Sequence, residues 1–145
     1  MAKSKKDIDM SFQIKAIEIL DIEIRHPQIK MPETTVFNYN INIQHRVNQE
    51  HKRIIVVVEI FIKHEDKKTL LGNLKTSCVF AIENFDELST IDDNKNMIFP
   101  QPIIEILNTI SISTVRGVMF SCFRGTFLHN AILPIIDPKS FKQDV

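Results

Sequence analysis

Residues 99–136 read FPQPIIEILNTISISTVRGVMFSCFRGTFLHNAILPII, and their interpretation decides the fold. The spacing predicts one long helix over Gln101–Phe123 followed by an extended return segment over Thr126–Ile136. Pro100 and Pro102 sit where a helix opens, since a first-turn proline loses no helical hydrogen bond. Arg124-Gly125 puts a cation in the last turn and a glycine where a left-handed C-cap is wanted. The alternation in ISISTV makes a strand the rival reading. Periodicity favours the helix: Ile103, Ile104, Leu107, Ile110, Thr114, Val115, Val118 and Cys122 fall on one helical face.

A second stripe holds Ile106, Ser113, Gly117 and Phe120, and between Gln101 and Phe123 only Glu105 and Arg116 are charged. A helix apolar almost all round needs cover on more than one side. The small Ser113 and Gly117 suit close approach of a second helix, so this stripe is a candidate oligomer interface. A helix covered twice within its own chain is the alternative. Glu105, Asn108 and Arg116 interrupt the apolar run and argue against membrane insertion.

Upstream lie four segments with strand periodicity. Ser11–Arg25 alternates through Phe12, Ile14 and Ala16, changes parity at Ile17 and Ile19, and switches back at Leu20, Ile22 and Ile24. Each parity change predicts a bulge or bend, because one extra residue swaps the faces. His26–Glu33, with Pro27 and Pro32, reads as a loop. Thr35–Val47 puts Phe37, Tyr39, Ile41, Ile43 and Val47 on one side and Asn38, Asn40, Asn42, Gln44 and Arg46 on the other, the pattern of a half-buried antiparallel strand. Arg53–Lys63 is apolar on both sides and reads as a central strand. Thr69–Glu83 follows, with Gly72 at a possible bulge. Asn84–Asn96 is acidic and has room for a short helical turn. Met1–Met10 is expected to be flexible, and Asp137–Val145 is a tail anchored by Phe141.

Strands followed by a helix indicate an α+β fold in one domain spanning residues 1–145. One helix covers one face of such a sheet. Ile55, Val57, Phe61 and Val79 on the other face then require a partner, which points to self-association, a groove for apolar segments of other chains, or both.

Several function classes are disfavoured. The formal net charge of +0 leaves no electrostatic footprint for nucleic acid. The three glycines form no phosphate-binding loop, and no GxSxG elbow or HExxH occurs. His26, His45, His51, His64 and His129 show no ligand spacing and read as surface side chains, with His45 and His51 flanking a hairpin turn. Asp92-Asp93 reads as a solvated loop rather than a catalytic pair. Arg116 and Arg124 could clamp an anion, although Arg124 better suits the helix end. Cys78 and Cys122 read as reduced core thiols. MAKSKKDID has no apolar stretch of a signal peptide, so a cytoplasmic location is expected. No catalytic residue, metal or cofactor is assigned.

Phe99-Pro100 before the helix, Arg124-Gly125-Thr126-Phe127 after it, and then Asn130, Leu133, Pro134, Ile135 and Phe141 resemble the SecB family of protein-export chaperones. Phe12, Ile14, Ile17, Asp21, Ile22 and Pro27 follow the same family's spacing near the N-terminus, while strands two to four agree only in pattern. The resemblance implies a SecB-like fold, with a four-stranded antiparallel sheet and one long C-terminal helix, assembled as a dimer of dimers. It implies a homotetrameric, ATP-independent holdase that uses no metal and keeps unfolded preproteins in apolar grooves. Groove candidates on that basis are Ile55, Val57, Phe61, Val79, Phe120, Phe123 and Phe127. In the family an acidic sheet surface docks the translocation motor SecA. Asp21 matches one of those carboxylates, but Arg25 stands at another, and the short stretch after Phe141 leaves little of the family's second C-terminal helix and motor-binding tail. Docking to SecA is therefore disfavoured. A chaperone of other clients, such as an antitoxin, or a non-catalytic oligomeric interaction module fits better. A binder of small apolar ligands is a third reading.

Overall fold

The structure, a computed structural model, describes residues 11–28, 36–141 and 143. The expected flexible segment 1–10 and most of the proline loop before residue 36 lie outside the described residues. Four strands form one sheet: β1 (Phe12–Ile24), β2 (Asn38–Asn48), β3 (Arg53–Lys63) and β4 (Leu70–Ile82). A short helix α1 (Phe85–Leu88), a small hairpin β5 (Thr90–Ile91) and β6 (Met97–Ile98), and the long helix α2 (Gln101–Cys122) follow, with a 3-10 turn at Pro138–Ser140.

The sheet order is β1-β4-β3-β2, and every neighbouring pair is antiparallel. The β3 strand is central, as its two-sided apolar character requires. Its alternate residues Ile54, Val56, Val58, Ile60 and Ile62 are each 0–1% exposed and form the core with Ile103, Ile104, Leu107, Ile112, Val115 and Met119 of α2. Burying side chains of this size is the main stabilising term, at about 1.5–3 kcal/mol each. The β1 register shifts twice, between Ile14 and Ala16 and between Ile19 and Asp21, where the hydrophobic parity changes. These two bulges keep Ile14, Ile17, Ile19 and Ile22 opposite Phe80, Cys78, Thr76 and Leu74, all on the α2 side of the sheet. Gly72 sits beside the shift between Ile62 and Lys63. A Cβ there would lie 2.8 Å from Leu128 Cδ1 and 2.9 Å from the Glu23 carbonyl oxygen, so glycine is needed for strand approach.

The buried face of α2 is rotated from the expected one. Asn108, Ser111, Ile112 and Met119 are buried, whereas Ile110, Thr114, Val118 and Cys122 are only half-buried. The helix is long and apolar enough to cross a membrane, with a mean hydropathy of 1.4 over 18 residues, yet this face is packed on β3 and β4. Gly125 adopts φ 76°, the left-handed conformation expected after the helix.

The return segment is not an extended strand. Residues 123–130 form successive turns, built on the Thr126 hydroxyl, which donates to the Phe123 carbonyl at 2.7 Å and accepts from Leu128 N–H at 3.1 Å. Beyond them, Arg116 supplies the hydrogen bonds a neighbouring strand would have given. Its Nε and Nη2 each donate at 2.8 Å, to the carbonyls of Leu133 and Pro134. Arg116 is thus committed to the chain's own backbone rather than to an anion.

The acidic stretch 84–96 holds the expected helical turn and, with Met97–Ile98, the unanticipated β5–β6 hairpin. Asp92 makes that hairpin: its carboxylate accepts from the N–H of Asn94 at 3.0 Å and of Asn96 at 2.7 Å. Lys95 takes φ 63° at the tip.

Candidate functional site

A sheet with one helix on one face leaves apolar surface in three places. The first is the edge strand β1. Ile14, Ile17, Ile19 and Ile22 are 42–49% exposed although they share the side of the sheet that α2 covers over β3 and β4. The helix reaches the middle of the sheet and stops short of its edge. Large apolar side chains aligned this way form a patch, the usual sign of an association or binding surface.

The second is the back of α2. Ile106, Ser113, Gly117 and Phe120 are all exposed, with Ile106 at 42% and Phe120 at 51%. They lie on the side of the helix opposite its core residues, as the 3.6-residue repeat demands. Nothing lies within 4 Å of a Cβ built on Gly117, so this stripe has open space in front of it.

The third lies where α2 meets the turns. Phe120, Arg124, Gly125, His129, Asn130 and Ile132 line a cleft of about 360 Å³. Ile132 is 55% and Ile135 95% exposed beside it in sequence. His129 Nδ1 lies 2.8 Å from the Thr126 carbonyl and so carries the proton there. Arg124 is exposed at the rim.

The expected groove residues divide. Phe120 lies in the cleft. Phe127 is half-buried, its ring 5.1 Å from that of His26. Phe123, at 1% exposure just past the end of α2, is a core side chain, which corrects its expected place in a groove. On the sheet face away from α2, Ile55, Phe61 and Val79 are half-buried and Val57 is 3% exposed between Gln44 and Ser77 of the flanking strands. That face is less open than expected for a groove. The residues sequence reasoning missed are the β1 isoleucines, whose exposure follows from where α2 ends laterally and not from any local pattern.

Two histidines expected at the surface are buried. His45 is 7% exposed, and its Nε2 donates to Asn108 Oδ1 at 2.7 Å while Asn108 Nδ2 donates to the Phe141 carbonyl at 3.2 Å. This chain of hydrogen bonds ties β2, α2 and the tail together and satisfies polar groups that burial would otherwise penalise. His64 is 8% exposed at the start of the β3–β4 turn. In that turn Asp66 is pushed down to about 2 by hydrogen bonds from Thr69 N–H, Thr69 hydroxyl and Lys68 N–H. Burial pushes Tyr39 up to about 12. It also raises the Cys78 thiol, against the opposing effect of the Ser111 and Thr114 hydroxyls. Cys78 is buried and Cys122 half-buried, and both are free thiols. Among the described residues no three His, Cys, Asp or Glu side chains converge on a metal position.

No family model matches the sequence, and no curated protein matches it either. The fold is nevertheless similar to that of a solved structure, the Mycobacterium tuberculosis Rv1957 SecB-like chaperone in complex with a ChAD peptide from the Rv1956 HigA1 antitoxin. The TM-score is 0.58 at 8% sequence identity, over 86% of this chain and 89% of that one. The sheet order, the long C-terminal helix and this likeness agree: the chain has the SecB-like fold.

Proposed function

We propose that this chain is an ATP-independent holdase that takes up unfolded or unassembled polypeptides in the cytoplasm, and that it works as a homo-oligomer. The observation that carries this reading is the isoleucine row of β1, 42–49% exposed on the same side of the sheet as the helix. Unfolded clients expose apolar surface, and a preformed apolar surface takes it up with little sequence preference. The back stripe of α2, with Ile106, Ser113, Gly117 and Phe120, suits the pairing of subunits into a dimer of dimers, since small residues let helices approach closely. Phe120 and Ile132 in the cleft, with Ile55, Phe61, Val79 and Phe127 as shallower contributors, suit clients. The reading uses no cofactor, metal or catalytic residue.

Among clients, a dedicated partner such as an antitoxin is favoured over general export substrates. The structural neighbour holds an antitoxin peptide. Arg25, at the position where a motor-docking carboxylate would stand, pairs instead with the Glu23 carboxylate. The decisive experiment is aggregation of a reduced, unfolded model protein without ATP, followed by light scattering. Suppression at near-stoichiometric ratio is expected, together with a light-scattering mass above that of one chain. No suppression at severalfold excess would remove the holdase reading and leave an oligomeric module.

A further inference from the structure

The Gln143 side chain occupies the place of a peptide group. Its Oε1 accepts from Phe99 N–H at 2.9 Å and its Nε2 donates to the Met97 carbonyl at 2.8 Å. These two backbone groups flank Ile98. In a strand, the groups of residues i−1 and i+1 point away from the side to which residue i bonds. Ile98 faces β5, pairing with Thr90, whose hydroxyl also donates to the Ile98 carbonyl. Met97 C=O and Phe99 N–H therefore lie on the edge of the hairpin away from β5, where no third strand pairs among the described residues. One residue of a parallel third strand would bond that edge through its own C=O and N–H in the same way. The carboxamide of glutamine is chemically the same group.

The space beside it suits a longer occupant. A cleft of about 390 Å³ runs from Gln143 and Met97 past Asn96 to Val47 and Gln49 at the end of β2. Met97 and Val47 are half-buried there, so an extended chain would cover apolar side chains while it satisfied the edge.

We propose that the β6 edge at Met97–Phe99 is a pairing site for an extended segment of a client polypeptide, and that Gln143 holds it closed by standing in for one peptide unit. The site rests on the holdase reading for the identity of its occupant. A client must displace the carboxamide, so the competent fraction sets its apparent affinity.

The test uses the full chain and a fluorescent peptide of alternating valine and threonine. Gln143→Ala should bind it about fivefold more tightly than the native chain, the gain expected from removing one modest intramolecular competitor. N-methylation of one set of alternate amides should abolish the gain, because pairing uses one edge of the peptide. In amide exchange, Phe99 N–H should lose protection in the variant and regain it when peptide is added. Gln143→Glu, which keeps an acceptor for Phe99 N–H but repels the Met97 carbonyl, should give a smaller gain and serves if the alanine variant folds poorly. Equal affinity in native chain and variants, or a gain indifferent to either N-methylation, would overturn the proposal. A gain that follows the concentration of this protein in place of the peptide would assign the edge to a second copy and overturn it too. Aggregation suppression without these effects leaves the holdase reading standing and this one refuted. The reverse outcome keeps the edge and removes the holdase.

Discussion

Replacing Asn108 by leucine should test how the sheet, helix and tail are joined. Asn108 is 0% exposed, and its carboxamide is used at both ends, by His45 Nε2 at 2.7 Å and by the Phe141 carbonyl at 3.2 Å. Leucine is close in volume, so the packing term is small and the loss is polar. Losing the hydrogen bond between His45 Nε2 and Asn108 Oδ1 inside the core costs about 1–3 kcal/mol. Phe141 is half-buried, and its carbonyl also receives Gln101 Nε2 at 3.5 Å, so its share is smaller. The single variant should therefore lose about 2–3 kcal/mol. His45→Leu should lose a similar amount, because Asn108 Oδ1 is orphaned in turn. The double variant removes both ends of that one bond, and its loss should fall short of the sum by about 2 kcal/mol. Urea denaturation at one fixed protein concentration measures all four chains, the fixed concentration keeping any self-association term constant. If the two single losses add to within about 0.5 kcal/mol, the pair is not a coupled unit and the reasoning fails.

Gly72→Ala should lose about 1–3 kcal/mol, read as a lower urea midpoint at unchanged slope, because its Cβ would sit 2.9 Å from the Glu23 carbonyl oxygen of the neighbouring strand. A neutral result would mean that β1 and β4 can separate locally at no cost. Tyr39 is the single tyrosine of a chain without tryptophan, so its phenolate absorbance reports one site. Its value of about 12 lies above the ordinary 10, so the stabilisation is complete below about pH 10, where the unfolded phenol is still protonated, and is lost as pH rises through about 12. Tyr39→Phe should flatten the stability profile across that window, and an absorbance midpoint at the ordinary value would refute the shift.

The sequence carried most of the fold because its signals were local. Proline at 100 and 102 and glycine at 125 mark the ends of α2, and the observed helix stops one residue short of the expected limit. The two parity changes in β1 marked both bulges to within two residues. His45 was legible in principle, since it falls at the vacant position of the series Phe37, Tyr39, Ile41, Ile43 and Val47; only its polarity hid it. The polar Asn108 and Ser111 misled in the same way, turning the apparent helix face away from the buried one. The β5–β6 hairpin rests on Asp92 carboxylate bonds, which charge composition conceals. The exposed isoleucines of β1 were beyond reach. Their periodicity is that of buried residues, and only the lateral extent of α2 leaves them open.

The pairing of β1 with β4 has a consequence for biosynthesis. Phe12 lies opposite Ile82, and Ile24 opposite Gly72, so the strand translated earliest finds its neighbour latest. At about 5–20 residues per second, the ribosome leaves β1 waiting for several seconds with its isoleucines unmatched. The β2–β3 hairpin closes in the meantime, over a short loop. Until β4 emerges the nascent chain presents a finished β2–β3 hairpin with a bare β3 edge, and any foreign strand arriving then competes with the chain's own fourth segment.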